Sequence, residues 1–188
     1  MVEQKAQSVQ VTLPSGIEVN LEGNTFLIKG AKGSVKKRFS NPRIEILKQE
    51  DKLVIKTKDG IKPIQTDKNF INTCRAHLKN MIQGVIYGYT AKVKICSGHF
   101  PMQVSSDANS VSVKNFLGEK VPRKADILPE VKVKISGDII EVTGLDKEAV
   151  SQTAARIEQS TRITNRDRRI FQDGCFIIQK AEVTQSGH

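Results

Sequence analysis

The chain has 188 residues, a length that fits one domain or two small domains of about 90 residues each. Its 30 Lys and Arg residues outnumber its 20 Asp and Glu residues, which gives a formal net charge of +10. Such a charge favours a polyanionic partner, either a nucleic acid, an acidic membrane face or an acidic protein. The excess is +7 in residues 1–88 and +3 in residues 89–188.

The sequence carries no signal for export or membrane insertion. No apolar run approaches the ~18 residues that a membrane helix requires, and the first residues lack the apolar core of a secretory signal. The three cysteines, Cys74, Cys96 and Cys175, lack the C-x-x-C spacing of metal and redox sites. We therefore expect a cytoplasmic protein without a membrane partner, in which the thiols act as small buried hydrophobic groups.

The first predicted elements belong to a segment that occurs twice. Residues 17–33 match residues 102–118 without a gap, at an offset of 85. The matching pairs are Val19 with Val104, Asn24 with Asn109, Phe26 with Val111, Ile28 with Val113, Lys29 with Lys114 and Gly33 with Gly118. The apolar pairs alternate along the chain as in a half-buried strand, and the glycine that closes each copy is expected at a turn with positive φ.

Each half continues with two further runs of alternating apolar residues around a turn. The turns lie at residues 49–51 and 136–138. Period-two alternation on both sides of a turn predicts antiparallel, half-buried strands. The apolar residues are Ile44, Ile46, Leu53 and Ile55 in the first half, and Val131, Val133, Ile135, Ile140 and Val142 in the second.

A segment with helical periodicity closes each half. Thr66 or Asp67 is expected to cap the first helix and Gly84 to end it, whereas the second helix is expected to start after Asp146. The extra residues 58–66 of the first half predict a loop. The apolar faces are Phe70, Ile71, Cys74, Leu78, Met81 and Ile82 in the first helix, and Ala149, Val150, Thr153, Ala154 and Ile157 in the second.

The halves together predict an α+β fold of two tandem homologous domains, each a small antiparallel sheet packed by one helix. We place the first domain at residues 9–86 and the second, with its basic C-terminal tail, at residues 90–180. Within the tail, Asn165 is expected to cap a short helix that ends at Gly174. Residues 175–178 are expected to form a final strand.

The sequence contains no recognisable catalytic constellation. His77 falls in the first helix pattern, and His99 falls in a loop, where it is either an ordinary loop residue or a phosphate contact. His188 is the last residue. The paired carboxylates Glu50 and Asp51 lie at a turn, where solvated charges are usual. We therefore expect no enzyme, no metal site, no cofactor and no small-molecule substrate.

The densest basic cluster lies in the tail. Arg162, Arg166, Arg168 and Arg169 are accompanied there by a single acidic residue, Asp167. On a helix, three of these arginines, at spacings of four and three residues, would share one face. A guanidinium grips a phosphate with two parallel hydrogen bonds, so this cluster is a candidate site for a nucleic-acid backbone.

A second basic segment surrounds the turn at Gly118. Phe116 is expected in the core rather than stacked on a base. With aromatic residues at 5% and no Trp, an extended stacking platform is not expected, and recognition of the phosphates and shape of folded RNA fits better. The basic residues of this segment are Lys114, Lys120, Arg123 and Lys124.

The C-terminal residues resemble a known family. They match a signature of the ribosomal protein L6 family in its archaeal and eukaryotic branch, whose eukaryotic members are also called ribosomal protein L9. Four further segments also resemble the sequences of this family: IKGAKG, NMIQGV, HFP and NFLGEK. The resemblance runs from about residue 9 to residue 180. Cys175 alone departs from the signature, where an aliphatic residue is expected. The matching positions are Gln159, Ile163, Arg166, Arg169, Phe171, Asp173, Gly174, Phe176, Ile177 and Lys180.

The resemblance implies a structural constituent of the large ribosomal subunit in the cytoplasm. It implies binding to large-subunit ribosomal RNA near the translation-factor-binding region, beside the sarcin–ricin loop, with neighbouring ribosomal proteins near the stalk base. In the family the second domain and tail make most of the RNA contacts. Carried onto this sequence, the implied ribosomal-RNA-binding residues are Lys114, Lys120, Arg123, Lys124, Arg166, Arg168, Arg169 and Lys180.

Three other interpretations fit parts of the sequence. A free-standing RNA-binding or RNA-chaperone module would bind unrelated folded RNAs with similar affinity. A protein-only scaffold would associate with ribosomes without the tail arginines. An enzyme acting on RNA would need a metal or acid–base cluster that the sequence does not display.

Overall fold

A computed structural model describes residues 8–184 except positions 15, 24, 50, 51 and 59. The described residues form two compact units that divide between Ile86 and Tyr87. The elements of the first unit are β1 (Ser8–Thr12), β2 (Glu18–Glu22), β3 (Thr25–Gly30), β4 (Gly33–Arg38), β5 (Ile44–Gln49), β6 (Lys52–Thr57) and α1 (Gln65–Tyr87). Those of the second are β7 (Tyr89–Cys96), β8 (Gln103–Ser106), β9 (Ser110–Lys114), β10 (Arg123–Asp126), β11 (Val131–Ser136), β12 (Ile139–Gly144), α2 (Lys147–Ser160) and β13 (Gly174–Val183).

The first unit consists of two three-stranded antiparallel sheets and one helix. The sheet orders are β2-β3-β4 and β1-β6-β5. In β3 the alternate residues Phe26 and Ile28 are buried, as the period of two predicts, whereas β6 buries the successive residues 53–55. The helix contributes its apolar stripe to the buried set, which includes Val19, Phe26, Ile28, Leu53, Ile55, Ile71, Leu78 and Val85.

The second unit repeats this plan and adds a strand. Its sheets run β10-β9-β8 and β11-β12-β7-β13. The side chain of Asp146 caps α2 by accepting a hydrogen bond from the Glu148 N–H at 3.0 Å, which confirms the predicted start of this helix. One buried cluster joins both sheets to α2, and it includes Tyr89, Val93, Val111, Phe116, Ile140, Val150 and Ile157.

The internal repeat is confirmed at the level of hydrogen-bonded strands. In the first unit Val19 pairs with Ile28, and in the second Val104 pairs with Val113, 85 residues further along. The α+β class with one helix per unit is confirmed, and each unit distributes its strands over two small sheets. Phe116 is buried in the core as expected.

The boundaries of α1 differ from the predicted ones. The helix begins at Gln65, which precedes both predicted caps, Thr66 and Asp67. It continues past Gly84 to Tyr87. Gly84 is buried within the helix, and the left-handed residue that follows the helix is Gly88, with φ 78°. No described helix is long and apolar enough to cross a membrane.

The two glycines of the repeat both have positive φ, as predicted: 146° at Gly33 and 78° at Gly118. Cys175–Ile178 lies in a strand, as predicted, and this strand continues to Val183. Most of the predicted turn at 49–51 and the C-terminal His188 fall outside the described residues.

We expect Gly118→Val to lower the free energy of unfolding of the second unit by about 1–3 kcal/mol, because a β-branched residue resists positive φ. The added Cβ would also lie 3.4 Å from the Phe100 ring. Urea denaturation of the full chain measures the loss. Gly118→Asn is the matched control, since Asn tolerates the left-handed region. Equal losses in both variants would contradict the conformational cause.

Candidate nucleic-acid interface

All eight residues implied to bind ribosomal RNA lie in the second unit, and seven of them are exposed, with Arg123 partly buried. They occupy three places. Lys114, Lys120, Arg123 and Lys124 lie along β9, β10 and the turn between them, Arg166, Arg168 and Arg169 lie between α2 and β13, and Lys180 lies on β13.

The segment between α2 and β13 does not form the predicted helix. Asn165 has φ 58°, a left-handed conformation unlike the extended one of an N-cap. The segment instead contains a single turn, in which the Asp167 carbonyl accepts hydrogen bonds from the N–H groups of Ile170 and Phe171. The expectation that Arg162, Arg166 and Arg169 share one helical face is therefore wrong.

The arginines of this segment differ in their partners. Arg169 donates to Asp167 through Nη2 at 2.8 Å and Nε at 3.1 Å, and this pairing holds the pKa of the Asp167 carboxyl below its ordinary value. The Arg166 guanidinium lies 5.0 Å from the centre of the Phe171 ring. Arg168 has no hydrogen bond or ion pair within the described part of the chain. Their basic heads face solvent, since all three residues are exposed.

Arg123 makes contacts within the second unit that stabilise its fold. Its Nε and Nη2 donate to the Glu119 carboxylate at 2.8 and 2.6 Å, and its Nη1 donates to the carbonyls of Ser160 and Arg162, each at 3.0 Å. The guanidinium also lies 4.3 Å from the centre of the buried Phe116 ring. These contacts tie the turn before β10 to the end of α2 and leave little of the guanidinium for a phosphate.

The lysines make no such contacts with other described residues. Lys124 is opposite Ser112 in the register of β10 and β9, so it shares a sheet face with Lys114 two residues away. Lys120 lies in the turn between these strands. Lys180 lies on β13, and within the described residues no hydrogen bond or ion pair links it to the arginine segment.

A buried carboxylate, that of Asp173, fixes the loop that follows β7. It accepts hydrogen bonds from the N–H groups of Gly98, His99 and Phe100, the first two at 2.5 and 3.1 Å. Burial alone would raise the pKa of Asp173, but these bonds and the His99 ring outweigh it, so the pKa lies below its ordinary value. From the sequence, Asp173 was recognisable only as a signature residue, because its partners lie 73–75 residues away along the chain.

A groove of about 1030 Å³ opens between this loop, the end of α2 and the start of β13. Its lining includes His99, Gln159, Arg162, Arg168, Phe171 and Phe176. The sequence pattern places Arg162 in the basic cluster and gives a phosphate contact as one of two roles for His99, but it does not single out Phe176 as a binding residue. These residues come from three separate stretches of sequence, so only the folded chain brings them together.

The described residues contain no cluster of His, Cys, Asp or Glu that could hold a metal ion. Burial raises the pKa of the Cys74 thiol and that of the Cys175 thiol to about 11 each. Both thiols are therefore protonated near neutral pH and pack as apolar groups, as expected, whereas Cys96 is only partly buried.

Comparison with known proteins identifies the family. A family model described as ribosomal protein L6 matches the chain twice, over residues 13–88 and 100–174. A relative from Methanosarcina mazei, named large ribosomal subunit protein uL6, is 45% identical over 181 residues, which cover 96% of this chain and 100% of the relative. The chain belongs to the ribosomal protein L6 family. A second protein of the same name, from Methanobrevibacter smithii, is 39% identical over 180 residues, 96% of this chain and 99% of that protein.

Membership of the L6 family confirms the resemblance found in the sequence. The two matches of the family model correspond to the two units, so the repeat is a property of the family. The ribosomal protein L6 family is structural and non-enzymatic, and the chain is therefore a ribosomal protein and not an enzyme.

Asp173→Asn is expected to lower the free energy of unfolding at pH 7 by about 1–3 kcal/mol, because one carboxylate oxygen and the negative charge are removed from a set of backbone donors. Since the native pKa is depressed, the stabilisation by Asp173 is complete above about pH 4–5 and is lost as the pH falls below about 4.

Urea denaturation of parent and variant between pH 2 and pH 7 measures this effect. The difference between the two proteins should shrink as the pH falls. Asp126→Asn, a change at an exposed carboxyl on β10, is the matched control and should leave the curve unchanged. A difference that stays constant down to pH 2 would contradict the assigned cause.

Arg123→Ala is expected to destabilise the L6 chain by about 1–3 kcal/mol, since it removes the bonds to two carbonyls and the contact with Phe116. Lys124→Ala, one residue away, should change stability by less than about 0.5 kcal/mol. Thermal unfolding of the two variants compares them. Equal stabilities would show that the Arg123 contacts do not hold the unit together.

Proposed function

We propose that this chain is a structural constituent of the large ribosomal subunit, in the cytoplasm, and that it binds large-subunit ribosomal RNA near the translation-factor-binding region. Its neighbours there would be ribosomal proteins near the stalk base. The observation that carries the RNA-binding proposal is the surface of the second unit. Within residues 162–169, exposed Arg166, Arg168 and Arg169 are accompanied by one acidic residue, Asp167, which pairs with Arg169.

The proposed mechanism is placement of RNA helices. Cationic side chains neutralise phosphates where RNA helices crowd together, which fixes their local geometry without reading their sequence. We assign this role to seven exposed side chains of the second unit. Arg123 is left out, because its contacts within the unit stabilise the fold instead. The seven are Lys114, Lys120, Lys124, Arg166, Arg168, Arg169 and Lys180.

The experiment that tests the proposal measures binding of the full chain to two RNAs across a range of salt concentrations. One is a large-subunit fragment that spans the factor-binding region, and the other is an unrelated folded RNA of equal length. Preference for the first RNA that persists as the salt concentration rises supports a dedicated ribosomal site. Equal affinities that decline together would favour a free-standing RNA-binding or RNA-chaperone module.

The triple change of Arg166, Arg168 and Arg169 to Ala is expected to weaken binding to the large-subunit fragment. It should also reduce the slope of log affinity against log salt by about 2–3 units, roughly one for each phosphate that is no longer neutralised. Filter binding at several salt concentrations measures the slope.

The matched control changes Lys68, Lys132 and Lys134 to Ala. These exposed residues, one on α1 and two on β11, carry the same total charge. The control should lower the slope by less than about one unit. If both triple variants lower the slope equally, binding depends on net charge and the proposed site is wrong.

A further inference from the structure

The groove at the end of α2 contains an aromatic ring that the proposed phosphate contacts do not use. Phe176 is 39% exposed, although it lies beside the buried start of β13. Its ring packs toward the backbone of Gly174, where an added Cβ would lie 3.4 Å from the ring carbon Cζ. The ring is therefore held in place by the fold and still offers surface to a ligand.

The other aromatic ring of the groove is already covered. The guanidinium of Arg166 lies 5.0 Å from the centre of the Phe171 ring, and the His99 ring lies 5.1 Å from it. Phe171 thus holds its neighbours in position, and Phe176 is the ring with room for a planar ligand.

The polar groups around Phe176 suit a nucleotide. The side chains of Gln159, Arg162 and Arg168 line the groove, and none of them has a hydrogen bond or ion pair within the described residues. An amide side chain can both donate to and accept from the edge of a base, and a guanidinium can hold a phosphate.

The acidic groups of the groove wall are already committed. Asp173 accepts from the backbone of residues 98–100, and Glu158 accepts from the Ile177 N–H at 3.0 Å. Both carboxylates stay negatively charged but are bound to backbone N–H groups, whereas the guanidinium groups of Arg162 and Arg168 have donors left for a phosphate.

We propose that this groove receives one unpaired nucleotide of a folded RNA. The base stacks on Phe176 within reach of Gln159, and the flanking phosphates meet Arg162 and Arg168. The inference rests on the proposed RNA-binding function. The groove volume of about 1030 Å³ lies near the upper end of small-molecule sites and accommodates one nucleotide. One stacking ring suffices for one base, so the low aromatic content of the chain is no obstacle.

The test compares Phe176→Leu and Phe176→Tyr in the full chain, with the large-subunit RNA fragment as the probe. Phe176→Leu keeps an apolar side chain but removes the ring, and it should weaken binding by about 5- to 100-fold at every salt concentration. The salt slope should not change, because stacking releases no counterions. Phe176→Tyr should bind like the parent.

Ile178→Ala is the matched control, since Ile178 is 55% exposed two residues further along the same strand and does not line the groove. It should leave the affinity unchanged. Fragments with an abasic site at each unpaired nucleotide in turn locate the inserted base. At one position, the abasic site should weaken binding of the parent by the same factor as the Phe176→Leu change does. The same abasic fragment should bind Phe176→Leu no more weakly than the intact fragment does.

Three results would overturn the inference: parental affinity of Phe176→Leu, a loss equal to that of Ile178→Ala, or a change in the salt slope. Loss of association with ribosomes while RNA affinity persists would also overturn it, in favour of a protein ligand. If the parent shows no preference for the large-subunit fragment, the proposed function itself fails. If the parent keeps that preference and the Leu variant matches it, the groove proposal alone fails.

Discussion

The candidate interface depends on one buried carboxylate. Asp173 lies at the start of β13 and accepts hydrogen bonds from three successive N–H groups of the loop after β7. β7 and β13 are neighbours in the sheet, so the carboxylate links the end of β7 to the start of β13. It thereby fixes the position at which the arginine segment, residues 162–169, leads into β13. A buried charge is tolerated only when its hydrogen bonds are satisfied, and here the backbone supplies them. Asp173 therefore holds in place the loop after β7, the groove wall and the C-terminal end of the arginine segment.

The second unit carries this arrangement because it contains an element that the repeat does not share with the first unit. The sheets β2-β3-β4 and β1-β6-β5 of the first unit correspond to β8-β9-β10 and β7-β12-β11 of the second. The second unit adds β13 alongside β7, and the irregular segment that connects α2 to β13 has no counterpart in the described part of the first unit. That segment bears the arginines, so the distinctive chemistry of the chain coincides with the element that breaks the repeat. Within that segment, the backbone N–H groups of Arg169, Ile170 and Phe171 donate to Asp167.

The sequence predicts the repeated elements well, because each depends on a short-range pattern. Strand alternation, the cap at Asp146 and the turn glycines Gly33 and Gly118 are all set by nearby residues, and the fold class follows from them. Two local predictions fail. Asp67, the expected cap of α1, instead pairs with Arg43 at 3.1 Å and accepts the Ile64 N–H, and the Arg43 hydrogen bond is the main cause of its lowered pKa. The helix expected after Asn165 gives way to a single turn. The groove could not be predicted, since its walls meet through the pairing of β7 with β13 and through the hydrogen bonds from β13 to Glu158 and Thr161.

Net charge alone does not show which side chains of this chain are available to an anion. The first half carries the larger excess, yet one of its arginines, Arg43, is bound to a carboxylate and to the Lys62 carbonyl. In the second unit Arg123 is committed in the same way, to Glu119 and to two carbonyls, and the pairing with Arg123 keeps the pKa of Glu119 below its ordinary value. An arginine that is partly buried and satisfies internal acceptors, as Arg43 and Arg123 do, contributes to the formal charge but offers few donors to a phosphate. The relevant quantity is the number of guanidinium groups that the fold holds near one another without internal acceptors. The groove holds two such groups, those of Arg162 and Arg168, beside an accessible aromatic ring.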